Sequence, residues 1–144
     1  MTHTVRRSAI VPFGAAKMYR LVADIPRYPE FLKWCSNASA VENKEGEVIA
    51  CLEISFKGLK KSFTTRNHMC PDESIEMSLV AGPFSRLHGI WQFTRLEDDA
   101  SKIELDIAFD FNNIVVAKVF GPVFSHIANH QVDAFQQRAQ DLYG

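Results

Sequence analysis

His126 and His130 stand four residues apart with Asp133 three further on, a spacing that lets one helix present two imidazoles to a single metal ion. No glutamate lies between them as in HExxH, and both fall at the edge of an apolar stripe. A polar helix flank is the plainer reading, and no metal is expected. Cys35, Cys51 and Cys70 are odd in number and lack CxxC spacing, which speaks against a disulfide framework and against a thiolate metal site. Asp106 and Asp110 alternate outward along a strand and read as solvated carboxylates rather than an acid–base pair. His68 and His88 also face outward by strand parity. There is no GxSxG, no GxGxxG and no P-loop. No catalytic residue is expected, so the remaining candidates are binding groups.

Three sets of such groups stand out. Phe56, Phe63, Trp91, Phe109, Phe111 and Phe120 share inward faces, and either pack a core or line an aromatic pocket. Gln131 sits at the centre of an apolar helix face, where an unpaired amide would cost a few kcal/mol, about 1–3, and so must meet a partner, a water or a ligand oxygen. Thr65 and Asn67 share the parity of Phe63 and are candidate companions on the opposite wall. Lys57, Lys60, Lys61 and Arg66 lie close together in a chain whose net charge is −1. Residues 1–70 carry eleven Lys/Arg against six Asp/Glu, and residues 71–144 carry five against eleven. The basic segment is either a solvated face or a contact for an anionic partner.

Two kinds of element must position these groups. Asn113 to Tyr143 reads as a long amphipathic helix, with Val116, Phe120, Val123, Phe124, Ile127, Ala128, Ala134, Phe135 and Leu142 on one side. Asn113 is its expected N-cap. Pro122, beside Gly121, removes a backbone donor and predicts a kinked or split helix. From Asn37 to Asn112 the period switches to two, as in Ile103, Leu105, Ile107, Phe109 and Phe111, so these stretches form strands with one wet face. Glu45-Gly46, Lys57-Gly58, residues 70–73 and residues 97–101 mark turns between antiparallel hairpins. Ahead of them come a strand from Thr4 to Val11, a helix from Ala15 to about Ala23, and a short helix or turn around Arg27 to Leu32.

The expected architecture is α+β: one curved antiparallel sheet around a long terminal helix, with two short helices after the first strand. At 144 residues and 47% apolar composition, residues 1–144 fit one domain with a real core. No N-terminal apolar region or membrane-length run is present, and a cytoplasmic protein is expected.

Several segments taken together resemble one family. They are Val11-Pro-Phe13, Met18-Tyr19, Tyr28-Pro-Glu-Phe-Leu32, Trp34-Cys35, Phe63-Thr-Thr-Arg-Asn67, Gly82-Pro-Phe84 and Leu87-His-Gly-Ile-Trp91-Gln-Phe93. In order and spacing the chain resembles the ribosome association toxins and coenzyme Q-binding proteins of the polyketide cyclase/START-like group. The resemblance implies a helix-grip fold around an elongated apolar cavity. It adds Trp34 and Phe84 to the candidate lining and sharpens the case for the residues on common inward faces, Leu79 and Phe124 among them, beside Phe56, Phe63, Thr65, Asn67, Trp91, Phe109, Phe111, Phe120 and Gln131. It implies a hydrophobic ligand, ubiquinone or a related prenylated lipid, held without catalysis or cofactor in support of respiration. The alternative it implies is a toxin that binds the large ribosomal subunit and blocks subunit association, with Lys57, Lys60, Lys61 and Arg66 on ribosomal RNA phosphates. Lipid headgroups at a peripheral membrane contact would suit the same cations. An aromatic polyketide cyclase is the third implied class.

Overall fold

Period-two patterning becomes seven antiparallel strands, and the terminal amphipathic stretch becomes one long helix. The structure is a computed structural model that describes residues 2–144. In chain order the elements are β1 (His3–Val11), α1 (Ala15–Ala23), a 3₁₀ helix (Ile25–Glu30), β2 (Cys35–Lys44), β3 (Glu47–Phe56), β4 (Leu59–Cys70), β5 (Ser74–Ala81), β6 (Phe84–Glu97), β7 (Ala100–Phe111) and α2 (Ile114–Tyr143). All strands join one curved sheet in the order β1-β7-β6-β5-β4-β3-β2. The expected α+β helix-grip arrangement is therefore present. Among the described residues no helix is long and apolar enough to cross a membrane.

Strand parity decides what faces α2. Ile103, Leu105, Ile107 and Phe109 of β7 are buried, as are Leu87, Gly89, Trp91 and Phe93 of β6, while the residues of opposite parity between them meet solvent in part or fully. On α2 the buried face is Phe120, Gly121, Phe124, Ile127, Ala128, Val132, Phe135 and Ala139. Val132 and Ala139 extend the face expected from periodicity, whereas Leu142 is half-exposed at the helix end.

The Asn113 side chain accepts from the Val116 N–H at 2.8 Å, which satisfies one of the free donors of the first turn. Pro122 does not split α2, which runs unbroken from Ile114 to Tyr143. Its missing bond would have gone to Lys118, an exposed residue whose carbonyl can take water, while Phe120 and Phe124 anchor the helix on either side.

Three tertiary hydrogen bonds and ion pairs fix the short segments. The buried Ser101 hydroxyl donates to the Phe13 carbonyl at 2.8 Å, tying the β1–α1 link to β7. Tyr28 donates to the Val22 carbonyl and joins the 3₁₀ helix to α1. Arg138 reaches Glu30 at 2.8 Å while its guanidinium lies 4.8 Å from the Phe31 ring centroid, clamping the 3₁₀ segment to the end of α2.

Turn chemistry sets the register. Lys57 and Gly58 both have positive φ, +48° and +84°, as a two-residue hairpin turn of the right twist requires. At Gly82 φ is +143°, and a Cβ would lie 2.7 Å from the Phe63 Cβ. Gly82→Ala should therefore lower stability by about 1–3 kcal/mol, a combination of backbone strain and displacement of Phe63. Urea unfolding checks this, and an unchanged midpoint would contradict the turn geometry.

Candidate functional site

Aromatic rings gather in two blocks, and the space between the blocks is the site. In one block Phe84, Phe109, Phe111, Phe120 and Phe124 pack ring to ring, with Phe109 and Phe124 centroids 4.7 Å apart and Phe84 and Phe124 4.9 Å apart. In the other, Phe135 is surrounded by Tyr28, Phe31 and Trp91, each with a centroid distance of 5.3 Å. Between them lies an interior cavity of ≈ 80 Å³, roofed by α2 and floored by the sheet.

Seven expected residues line this cavity: Trp34, Phe63, Thr65, Asn67, Trp91, Phe124 and Gln131. Six do not. Phe84, Phe109, Phe111 and Phe120 belong to the solid aromatic block, where the space their shared face suggested is filled by each other's rings. Leu79 is half-buried against the core beside Thr65, its cross-strand partner, but stops short of the cavity. Phe56 lies outside, in an adjoining groove. Sequence reasoning missed Tyr28 and Ile25 of the 3₁₀ helix, Ala50 and Leu52 of β3, Met77 of β5, Leu87 of β6, Leu105 and Ile107 of β7, and Ile127 and Ala128 of α2. The available signal was small residues at inward positions, Ala50 and Ala128, which leave space that larger side chains would fill.

The cavity wall is mostly apolar, its polar side chains being Thr65, Asn67, Gln131, the Tyr28 hydroxyl and the indoles of Trp34 and Trp91. Thr65 Oγ1 donates to Asn67 Oδ1 at 2.7 Å, leaving the Asn67 Nδ2 hydrogens for another acceptor. Gln131 Oε1 is buried with no hydrogen-bond partner among the described residues. Burial pushes the Tyr28 phenol far above its ordinary value, so it stays a neutral hydroxyl committed to the Val22 carbonyl. The arrangement offers an apolar slot with one unpaired amide oxygen and one spare amide donor. It can orient a mostly apolar ring that bears oxygen.

A second depression, ≈ 350 Å³, opens on the outside between α2 and the segment before β2. It is lined by Phe31, Leu32, Lys33, Phe56, His126, His130 and Ala134, and it shares Trp34, Ile127 and Gln131 with the interior cavity. Those three side chains are the partition between inside and outside. The Trp34 carbonyl accepts from the Ser55 N–H at 2.7 Å, which holds the backbone of this partition on β3. His126 and His130 stack with centroids 4.2 Å apart, and His126 lies 6.1 Å from the Phe56 ring. One nitrogen of His130 is bonded to the His126 carbonyl at 2.8 Å. No cluster of three or more His, Cys, Asp or Glu that could hold a metal occurs among the described residues.

The expected four-residue basic patch needs correction. Arg66 is paired with Glu47 at 3.3 Å, and six residues of extended strand put it roughly 20 Å from Lys60. The Asn43 amide, with Lys44 and Arg66 behind it, holds Glu47 below the usual carboxylate range. Lys57, Lys60 and Lys61 remain together at the tip of the β3–β4 hairpin, with Lys57 Nζ 5.5 Å from the Phe56 ring centroid.

Cys35, buried where β2 begins, has its thiol pushed up to about 11 from 9.0, chiefly by burial. The folded chain thus favours the neutral thiol, whereas the unfolded chain ionises from about pH 9.0. This contribution to stability is intact below pH 9 and is lost as pH rises towards 11. Thermal melts of the parent should fall faster across that window than those of Cys35→Ala, and parallel curves would contradict the assignment.

Residues 11–136 match the family model described as polyketide cyclase / dehydrase and lipid transport. The chain is 46% identical over 144 residues, all of both chains, to the ribosome association toxin RatA of Pseudomonas aeruginosa. It is 23% identical over 141 residues to a mitochondrial coenzyme Q-binding protein homolog of Xenopus laevis, covering 95% of this chain and 58% of that one. The crystal structure of the Zhui aromatase/cyclase from a Streptomyces species superposes with a TM-score of 0.84 at 15% identity, covering 97% of this chain and 94% of that one. That likeness carries the fold and not the chemistry. The helix gripped by a curved sheet, the apolar interior and the full-length match together place the chain in the polyketide cyclase/dehydrase and lipid transport family, in the group that includes the ribosome association toxins and coenzyme Q-binding proteins.

Proposed function

We propose that the protein binds a hydrophobic ligand without transforming it, and that the ligand class is a prenylated quinone such as ubiquinone, in support of respiration. The observation that carries this reading is Gln131, whose buried amide oxygen has no hydrogen-bond partner among the described residues, on the wall of a mostly apolar cavity. A polar group left unpaired costs roughly 1–3 kcal/mol, so a bound ring whose hydroxyl donates to that oxygen, as in the reduced quinol, recovers that free energy, while a quinone carbonyl accepts from the Asn67 Nδ2 hydrogens. The isoprenoid tail suits the outer groove, whose floor is Phe31, Leu32, Phe56 and Ala134. At ≈ 80 Å³ the interior is well below the roughly 300–1,000 Å³ of ligand pockets, so ring entry requires the Trp34–Ile127–Gln131 partition to part.

The chain has two tryptophans, Trp34 and Trp91, and both line the cavity. Titration with a short-chain quinone should change their emission saturably. An emission that stays constant, while a solvent quencher reports both rings still enclosed, would return these residues to plain core.

A second reading is favoured by one observation, the 46% identity over full length to a protein named as a ribosome association toxin. On that reading Lys57, Lys60 and Lys61 contact ribosomal RNA phosphates and the side chains around the cavity serve only as core. Cosedimentation with large ribosomal subunits that weakens steeply with salt supports it, and Lys60→Gln with Lys61→Gln should then flatten the slope.

A further inference from the structure

A meander sends its turns alternately to opposite ends of the sheet, and here the two ends differ in charge. The β2–β3, β4–β5 and β6–β7 turns bring Glu45, Asp72, Glu73, Asp98 and Asp99 to one end. At the other end lie the β3–β4 hairpin, the β5–β6 turn and the start of α2. Although Glu53 and Asp110 border that end, residues 54–61 and 111–132, which form much of it, contain no Asp or Glu. They contain Lys57, Lys60, Lys61 and Lys118, none of which forms an ion pair among the described residues.

The same end exposes aliphatic side chains on the outward face of α2. Ile114 is 71% exposed, Val115 68% and Val119 52%, and Pro122 is exposed one turn on. The stripe formed by Val115, Val119, Pro122 and His126 runs along the helix and meets the hairpin where the His126 ring lies near Phe56. The Asn112 N–H donates to the Pro83 carbonyl at 3.1 Å and locks the β5–β6 turn beside the helix start. An apolar helix face bordered by lysines, with the acidic turns at the opposite end of the sheet, has the composition of an interfacial surface.

We propose that this face docks the protein on an anionic lipid bilayer, with Ile114, Val115 and Val119 in the headgroup–acyl boundary and the four lysines on lipid phosphates. Aliphatic side chains gain nothing from an RNA backbone, so they select a membrane over nucleic acid as the partner. The proposal does not depend on what the interior cavity holds.

Flotation with phosphatidylglycerol–phosphatidylcholine vesicles, and with phosphatidylcholine alone, tests it. The parent should bind the anionic vesicles and not the neutral ones. Val115→Ser with Val119→Ser should weaken binding at least roughly tenfold, and each of Lys57→Gln, Lys60→Gln and Lys118→Gln by about fivefold. All these positions are exposed, so thermal melts should match the parent and exclude misfolding. No binding to anionic vesicles overturns the proposal. So does binding unaffected by the serine changes, and so does RNA binding through the same lysines with vesicles ignored.

Discussion

Phe109→Ala should destabilise the protein by about 3–5 kcal/mol, because truncating a fully buried phenylalanine loses transfer free energy and leaves a cavity the neighbours cannot collapse into. The Phe109 ring touches Phe124 at 4.7 Å, Phe111 at 5.8 Å and Phe84 at 6.4 Å, and His3 of β1 stacks on it at 5.2 Å. It therefore joins the edge strand, two central strands and α2 at one point. A domain of this size has about 5–15 kcal/mol of stability in total, so the variant should be close to unfolding at physiological temperature. Urea denaturation measures the loss. A change below 1 kcal/mol would mean that the aromatic block is not solid, and that the ligand space extends into it.

Gln131→Leu should act in opposite directions on folding and on binding. In the ligand-free protein it replaces a buried amide oxygen that lacks a partner by an apolar group of similar reach, so stability should rise by about 1–3 kcal/mol. In the complex it removes the amide that meets the ring's polar edge, its oxygen accepting from a quinol hydroxyl or its Nε2 donating to a quinone carbonyl, so affinity for a short-chain quinone should drop roughly tenfold, equivalent to about 1.4 kcal/mol. The opposite signs matter, because a variant that merely damages the fold lowers both quantities. Equal affinity in variant and parent would remove Gln131 from the binding site whatever happens to the melting temperature.

Periodicity made the walls legible but not the space between them. Parity along β4 correctly put Phe63, Thr65 and Asn67 on one buried face, and helical phase put Gln131 among apolar neighbours. Yet the same rule gave Phe63 and Phe109 equal standing, although one borders a cavity and the other is sealed in a ring cluster. A cavity arises by subtraction, where Ala50 and Ala128 present too little volume to fill the gap, and no single inward residue announces it. Gly89 adds to this, since its bare backbone gives room to the Met77 methyl, which a Cβ would approach to 2.9 Å. Arg66 illustrates a different limit. Its partner Glu47 lies on the neighbouring strand, so the pair exists only once the β3–β4 register is known. Pro122 was visible as a breaker, but its tolerance depends on an exposed acceptor at Lys118 and on packing at Phe120 and Phe124, which are tertiary facts.

The central claim is that the space between α2 and the sheet holds a prenylated ring, oriented by Gln131. Native mass spectrometry of the protein purified from its own host tests it most directly, because a retained ligand is identified by its mass. The account predicts a one-to-one adduct with the mass of a prenylated quinone in the parent, with much lower occupancy in Gln131→Leu. Parent protein that carries no adduct, even after incubation with quinone-loaded vesicles, would contradict it.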